Sequence, residues 1–154
     1  MLCYLAHIGR LDVLQALFQE VVVPRAVLQE CLHPGAPESL RSAMSPKLPA
    51  YFTVIDDEPE VLPETASLDA GEAAAITIAW QNRADSLLLL DEKRGRTVAA
   101  ALGLRMRGVL GVVMECHRRG LLEFDATIAV LRQHGFRIAG GVIAQARAQL
   151  GLAQ

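Results

Sequence analysis

The chain has 154 residues, about the length of one domain, and its 52% hydrophobic and 21% charged residues exclude a disordered or fibrous protein. The net charge of −2 conceals an asymmetry, because residues 1–79 carry eleven acidic and four basic side chains, whereas residues 80–154 carry six acidic and eleven basic ones. The basic half is able to face phosphates, although a charged surface is more often only solvated. We expect a single domain over residues 1–154.

The first half of the chain is predicted to alternate short helices with strands. Apolar residues at helical spacing in "MLCYLAHIGRLDVLQALF" predict two helices, the first ending at Gly9. "EVVVP" predicts a strand that stops at Pro24, followed by a helix from Arg25 to about Leu32. After a proline-rich loop with one helical turn around residues 39–44, "YFTVI" predicts a strand and "DDEPEVLPETAS" a surface connection.

The second half continues the alternation. Asp69 precedes the clearest helix, which runs through the alanine-rich "AGEAAAITIAWQNR", and the run "SLLLL" after it is typical of a strand buried on both faces. The remaining predicted elements are a helix in "EKRGRTVAAALG" that ends at Gly103, a short strand in "LRMRG", helices in "VLGVVMECHRRG" and around residues 125–134, a brief "FRI", and a last helix over residues 142–150. This alternation predicts an α/β fold with a parallel, helix-covered sheet.

Several classes of site are excluded by their missing motifs. The sequence has no GxSxG, no GxGxxG and no P-loop, so neither a serine nucleophile nor a nucleotide cradle is predicted. The three cysteines form no CxxC pair, which predicts neither disulfides nor a zinc knuckle and favours a reducing cytoplasm. Cys116 and His117 are neighbours on a helix and point in different directions, so we expect a structural role for both. The longest apolar runs are too short to span a bilayer.

Carboxylates occur where strands or loops meet helices, at Glu30, Asp69, Glu72 and Asp91. Asp91 follows the strand "SLLLL", and ligands of open α/β sheets bind outside the carboxyl ends of the strands. Each acid also has a structural interpretation. Asp69 and Glu72 have the spacing of a capping box, Asp91 is a candidate N-cap for the helix that begins near Glu92, and Glu30 is a candidate for a solvated helix position.

If these acids converge, their like charges repel unless a cation lies between them. Oxygen ligands with retained waters suit Mg²⁺ or Mn²⁺, which activate water and neutralise charge during phosphodiester hydrolysis. Arg94 and Arg96 follow Asp91 closely and are candidates to hold the phosphates of an RNA. The functional interpretation is therefore a magnesium or manganese nuclease site.

The chain also resembles a known family. "LAHIGRLDVLQALFQEVVVPRAVLQEC", "LDAGEAAAITIA", "LLLLDEKRGRTVAAALGL" and "GVLGVV" occur in the order typical of the PIN-domain nucleases, especially a bacterial branch related to the VapC toxins. The similarity covers nearly the whole chain. It implies a three-layer PIN-like fold, in which a parallel sheet is flanked by helices on both faces.

The resemblance implies a Mg²⁺- or Mn²⁺-dependent endoribonuclease that acts on single-stranded RNA as the toxin of a toxin–antitoxin pair. By position, Glu30 matches the helix glutamate of the family, Glu72 its third acid and Asp91 its strand-end aspartate, all three as metal ligands. Asp69 and Glu92 are candidate auxiliary ligands. The implied partners are an RNA substrate, an antitoxin protein and a second copy of the chain.

The sequence departs from the family pattern at its start. PIN domains begin with a central strand that ends in an aspartate, and this first acid has no counterpart before Asp12. One hypothesis is that the true start lies upstream, so that about ten further residues restore the strand. The other is a decayed nuclease that binds RNA or an antitoxin without cleaving. A receiver-like phosphotransfer domain is a third class, but it requires an acidic pair near the first strand and a strand-end lysine, and neither is found.

Overall fold

A computed structural model describes residues 1–45, 47–56 and 60–152 of the chain. Its first half contains α1 (Leu2–His7), α2 (Asp12–Leu17), β1 (Val21–Pro24), α3 (Arg25–Leu32), α4 (Glu38–Met44), β2 (Phe52–Ile55) and a 3₁₀ turn (Pro63–Thr65). Its second half contains α5 (Ala70–Gln81), β3 (Leu88–Leu89), α6 (Lys93–Ala101), β4 (Met106–Arg107), α7 (Val109–Arg118), α8 (Phe124–Gln133) and α9 (Gly140–Gln149). Within these ranges no helix is long and apolar enough to cross a membrane.

The predicted ends of several elements are confirmed. Gly9 and Gly103 follow α1 and α6 with positive φ angles of 64° and 70°, a conformation that glycine adopts without steric cost. β1 ends at Pro24, directly before α3. The segment "FRI" is neither helix nor strand, and Phe136 instead packs edge-on against Tyr4, with ring centroids 5.3 Å apart. Part of the predicted connection "DDEPEVLPETAS", residues 57–59, lies outside the described residues.

The strands pair in parallel, as predicted, but they form two separate pairs. β1 pairs with β2 from Val21 opposite Phe52 to Pro24 opposite Ile55, and β3 pairs with β4 over two residues. The predicted strand of residues 86–90 is thus reduced to Leu88–Leu89. In the part of the chain that the structure describes, the single expected sheet is therefore two half-sheets.

Helices cover both faces of these half-sheets, which confirms the predicted α/β class. Leu88 and Leu90 pack in one cluster with Ile76 of α5 and Ala99 of α6. Leu89 points the other way and packs against the large cluster formed by α1, α2, α3, α4 and α7. Because successive side chains of a strand point to opposite faces, this alternation places one helix layer on each side of β3.

An open slot of about 1350 Å³ separates β1 from β3. The N–H of Val21 donates to Tyr51, and those of Leu88 and Leu90 donate to Arg105 and Arg107, so these residues face their paired strands. Successive residues of a strand direct their backbone groups to opposite edges, and the backbone groups of Val22 and Leu89 therefore face the slot. α5 packs against β1 and α3 as well as against β3 and α6, and so connects the two half-sheets.

We expect Leu5→Ala to lower the free energy of unfolding by about 2–5 kcal/mol, because Leu5 is fully buried in the cluster that joins α1 to β1 and β2. Leu32→Ala is the matched control. Its side chain is 40% exposed at the end of α3, and the change is expected to stay within about 0.5 kcal/mol. Urea unfolding followed by circular dichroism measures both, and equal losses would show that α1 does not dock as described.

Candidate functional site

Four carboxylates from four parts of the fold line the slot on the side where β1 and β3 end, which we call its mouth. They are Glu30 on α3, Glu72 in the first turn of α5, Asp91 just after β3, and Glu92, the residue before α6. The parallel strands end on this side, which is where ligands of α/β folds bind. The structure thus brings Glu30, Glu72 and Asp91, the three predicted ligands, to one place.

Glu30 is held against the start of α5. Its side chain is exposed, yet its Oε1 accepts a hydrogen bond of 3.1 Å from the N–H of Gly71. A helix N-terminus has free N–H groups and a positive dipole end, so a carboxylate is favourable there. Glu30 is therefore more than a solvated helix residue, because it connects α3 with α5.

Glu72 lies at the centre of the acidic cluster. Its pKa is raised, first by partial burial and then by the charges of Glu92, Asp69 and Glu30, while Arg94 acts in the opposite direction. The interpretation of Asp69 and Glu72 as a capping box is wrong for the residues that the structure describes. Asp69 does occupy the N-cap position of α5, but its side chain accepts no hydrogen bond from the helix. Glu72 is thus left in a local excess of negative charge.

Asp91 caps a helix, but not the one that the sequence suggested. Its Oδ1 accepts a 2.7 Å hydrogen bond from the N–H of Val109, the first residue of α7, whereas α6 is preceded by Glu92. Its Oδ2 is buried and accepts no hydrogen bond from the described residues. That oxygen lies 3.1 Å from the amino group of Met1, which is within ion-pair distance although the geometry is not that of a hydrogen bond.

The two candidate auxiliary acids differ in position. Both are exposed and both raise the pKa of Glu72, but only Glu92 lines the slot. Asp69 lies beside the cluster, at the start of α5. Glu92 is thus the better placed of the two.

The two candidate RNA-binding arginines lie beside the acids and also contact the main chain. Arg94 donates to the carbonyl of Ser67 at 2.8 Å, and Arg96 donates to that of Leu90 at 2.9 Å. A guanidinium carries five N–H donors, so one such bond orients each side chain and leaves donors for a phosphate. Arg94 is the more exposed of the two.

The donor set fits a hard divalent cation, although no group of three or more acid, histidine or cysteine side chains among the described residues is arranged to hold a metal ion. The acids offer oxygen ligands alone, which suits Mg²⁺ or Mn²⁺. One of these oxygens, Asp91 Oδ2, is buried and accepts no hydrogen bond from the part of the chain that the structure describes, although the Met1 amino group lies 3.1 Å away. The pKa of Glu72 is raised first by burial and then by the charges of neighbouring acids, and a cation beside it would favour its ionised form.

The sequence did not indicate which main-chain groups hold the acids. The N–H groups of Gly71 and Val109, which lie 41 and 18 residues further along the chain, bind Glu30 and Asp91. The only nearby signal in the sequence is glycine. Gly71 is itself one of the two donors, and Gly108 directly precedes the other, Val109. The structural role expected for Cys116 and His117 is confirmed, since Cys116 is fully buried and His117 Nδ1 lies 3.3 Å from the N–H of Phe124.

We expect Glu72→Gln to raise the melting temperature of the metal-free protein at pH 7. The pKa of Glu72 is higher in the folded than in the unfolded chain, so the folded state binds more protons and stability falls as pH rises above the ordinary value of 4.5. The gain from Glu72→Gln should disappear below that pH. Thermal melts in the absence of divalent ions, from pH 4 to pH 8, test this.

Glu115→Gln is the control with the opposite sign. Hydrogen bonding to Arg119 lowers the pKa of Glu115, so its ionised form stabilises the fold and its loss should lower the melting temperature at pH 7. If both variants shift the melting temperature in the same direction at pH 7, folding does not raise the pKa of Glu72 and lower that of Glu115 as described.

The comparisons with known proteins agree with the α/β fold described above. A family model described as a PIN domain matches residues 1–152, nearly the whole chain. No curated protein and no solved structure matches it. The resemblance found in the sequence is confirmed at the level of the family, and the chain belongs to the PIN-domain family, which has a nuclease-type fold.

Proposed function

We propose that this chain is a divalent-metal-dependent endoribonuclease of the VapC-toxin branch, which hydrolyses phosphodiester bonds of single-stranded RNA. The observation that carries the proposal is that Glu30, Glu72 and Asp91 line one slot, where partial burial and the charges of Glu92, Asp69 and Glu30 raise the pKa of Glu72. Structural acids are usually paired or hydrogen-bonded. Glu30 and Asp91 each accept a main-chain hydrogen bond, whereas Glu72 has a raised pKa among further acids, and this supports a site that takes a cation.

Glu30, Glu72 and Asp91 would hold Mg²⁺ or Mn²⁺, with Asp69 and Glu92 as auxiliaries. When bound, such an ion lowers the pKa of a water ligand and neutralises charge on the phosphate. The carboxylates orient the water for direct attack on phosphorus, without a covalent intermediate on the protein. Asp91 is fixed for this task by the Val109 amide, and Glu30 by the Gly71 amide.

Arg94 and Arg96 are proposed to bind the RNA backbone next to these acids. Both follow β3 within a few residues of Asp91, and both are oriented by main-chain carbonyls. Guanidinium groups bind phosphate oxygens through paired N–H donors, which would place the substrate without selecting a base sequence.

The proposed partners follow from the VapC-like branch. They are an antitoxin protein that inhibits the nuclease and a second copy of the chain in a homodimer. We propose that the protein acts in the cytoplasm, where a reducing environment suits three free cysteines, Cys3, Cys31 and Cys116.

The proposal includes a further strand in the slot, which would supply the first acid of the family. Backbone groups of Val22 and Leu89 face the slot from its two sides, so an extended segment parallel to β1 and β3 could pair with both. The carboxyl end of that segment would lie beside Asp91. An aspartate at that end would join the three acids already there.

A second candidate function is an RNA- or antitoxin-binding module that does not cleave. The observation in its favour is that Asp91 is already engaged, with Oδ1 on the Val109 amide and Oδ2 beside the Met1 amino group. A carboxylate that is already engaged in this way should contribute little to metal binding. Tight, stoichiometric Mn²⁺ binding would contradict this alternative.

We expect the chain to cleave a mixed pool of single-stranded RNA in the presence of Mn²⁺, and we expect EDTA and Asp91→Asn each to abolish cleavage. Asparagine keeps the oxygen that accepts from Val109, so α7 remains capped while a charged ligand is lost. Asp85→Asn is the matched control, because Asp85 is an exposed aspartate that lines the slot before β3, at the other end of this strand, and should retain full activity.

A chain extended to an earlier start in the coding DNA separates the two candidate functions. Cleavage by the extended chain alone would show that the nuclease needs the strand in the slot. Cleavage by neither chain, with both of them folded, would favour the binding module. Cleavage that survives Asp91→Asn would contradict the proposed metal site.

We expect Arg94→Ala to weaken binding of single-stranded RNA and to reduce the salt dependence of binding by about one phosphate contact. Arg132→Ala is the control, since Arg132 is an exposed arginine on α8, away from the slot. Fluorescence anisotropy with labelled RNA in EDTA, at several salt concentrations, measures both. Equal losses for the two variants would indicate that RNA responds to overall charge rather than to this position.

A further inference from the structure

Each of the three predicted metal ligands lies against a glycine of another part of the chain. Glu30 of α3 faces Gly71 in α5, Glu72 of α5 faces Gly95 in α6, and Asp91 faces Gly108, the residue before α7. A Cβ atom on Gly71 would lie 2.7 and 2.8 Å from the two carboxylate oxygens of Glu30. Cβ atoms on Gly95 and Gly108 would lie 3.0 Å from Glu72 Oε2 and 2.9 Å from Asp91 Oδ1.

The distances at Gly71 and Gly108 are shorter than real Cβ atoms show, whereas the 3.0 Å at Gly95 is only tighter than most such contacts, and Leu90 Cδ2 lies nearer there, at 2.9 Å. An alanine at one of the three positions would therefore displace the carboxylate in front of it, unless the backbone moved. The three glycines provide the space in which the acids approach one another.

The backbone conformation does not require glycine at positions 71, 95 and 108. Among the described residues, the glycines with positive φ are Gly9, Gly103, Gly120, Gly135 and Gly151, so the three that face acids have conformations open to any residue. Gly71 and Gly95 lie within helices, where glycine is less favourable than alanine. The contact with a carboxylate is the feature that alanine cannot satisfy at these positions.

We propose that Gly71, Gly95 and Gly108 are positioning residues of the metal site, each holding one ligand by leaving room for its carboxylate. This inference rests on the proposed metal-dependent function. Gly71 acts most directly, because its N–H also donates to Glu30. The acids are thus set by contacts between elements that are distant in sequence.

Gly71→Ala is the decisive variant, because Glu30 is the end of a flexible, exposed side chain and can move away at little cost to the fold. Alanine favours the helix, so the melting temperature should stay the same or rise. The displaced Glu30 should weaken Mn²⁺ binding by about 10–100-fold, the usual effect of losing a group that orients a ligand. Gly95→Ala and Gly108→Ala are less decisive, since they also press on Leu90 or on the cap of α7.

Gly141→Ala is the matched control, because Gly141 is likewise the second residue of a helix, α9, and nothing lies within 4 Å of its Cβ position. It should share the rise in melting temperature and leave Mn²⁺ affinity unchanged. Calorimetric titration with Mn²⁺ should compare the wild type, both glycine variants, Glu30→Gln and the Gly71→Ala/Glu30→Gln double variant. If Gly71 acts through Glu30, the double variant should bind no more weakly than Glu30→Gln alone.

Unchanged Mn²⁺ affinity in Gly71→Ala would overturn the inference and leave the proposed function intact. A fall in melting temperature equal to that of a core variant, with affinity lost in the double variant beyond Glu30→Gln, would also overturn it and indicate a structural role. Failure of the wild type to bind Mn²⁺ would contradict the proposed function itself. In that case crystal structures of the wild type and Gly71→Ala decide the positioning step, since the 3.1 Å contact from Glu30 Oε1 to the residue 71 amide should be lost.

Discussion

The close packing of α5 is the constraint on which the rest of the structure depends. This helix is buried on most of its circumference, and it contacts α3 and β1 on one side and β3 and α6 on the other. Small residues make this proximity achievable, because most of the buried positions of α5 are glycine or alanine. Both half-sheets are therefore placed relative to one helix, and the acid in its first turn, Glu72, lies between the ends of both.

The electrostatics of the slot mouth differ from those of an ordinary protein surface. Surface acids usually have a basic partner nearby, as Glu115 has in Arg118 and Arg119. The pKa of Glu72 is instead raised, first by partial burial and then by the charges of three acidic neighbours, while one basic neighbour, Arg94, acts in the opposite direction. The folded chain keeps this cost although a neutral side chain at position 72 would remove it. A cation that binds there would be attracted by these acids and would offset the repulsion between them.

Much of the fold could be predicted from the sequence, because the signals for its elements are local. The leucine run before Asp91, the helix-terminating glycines Gly9 and Gly103, and the proline after "VVV" each act within a few residues, and the structure has elements where they indicate them. Capping was predicted less well. Asp91 was expected to cap the helix next to it in sequence, but the amide that it binds belongs to α7, which the pairing of β3 with β4 brings alongside. No local sequence pattern indicates how β3 pairs with β4.

The division into two half-sheets could not be predicted from the sequence either, because pairing between distant strands has no local signal. The division matters for the candidate site, since the slot lies between the two half-sheets. A parallel sheet satisfies the backbone groups of an inner strand on both edges, whereas Val22 and Leu89 turn theirs toward an open slot. Val22 is also 42% exposed, which is unfavourable for an apolar residue that faces the middle of a fold. One extended segment would pair both rows, cover Val22 and bring its own carboxyl end to the acids. The same segment would therefore complete the sheet and add to the proposed metal site, so that folding of the slot and binding of a cation would depend on each other.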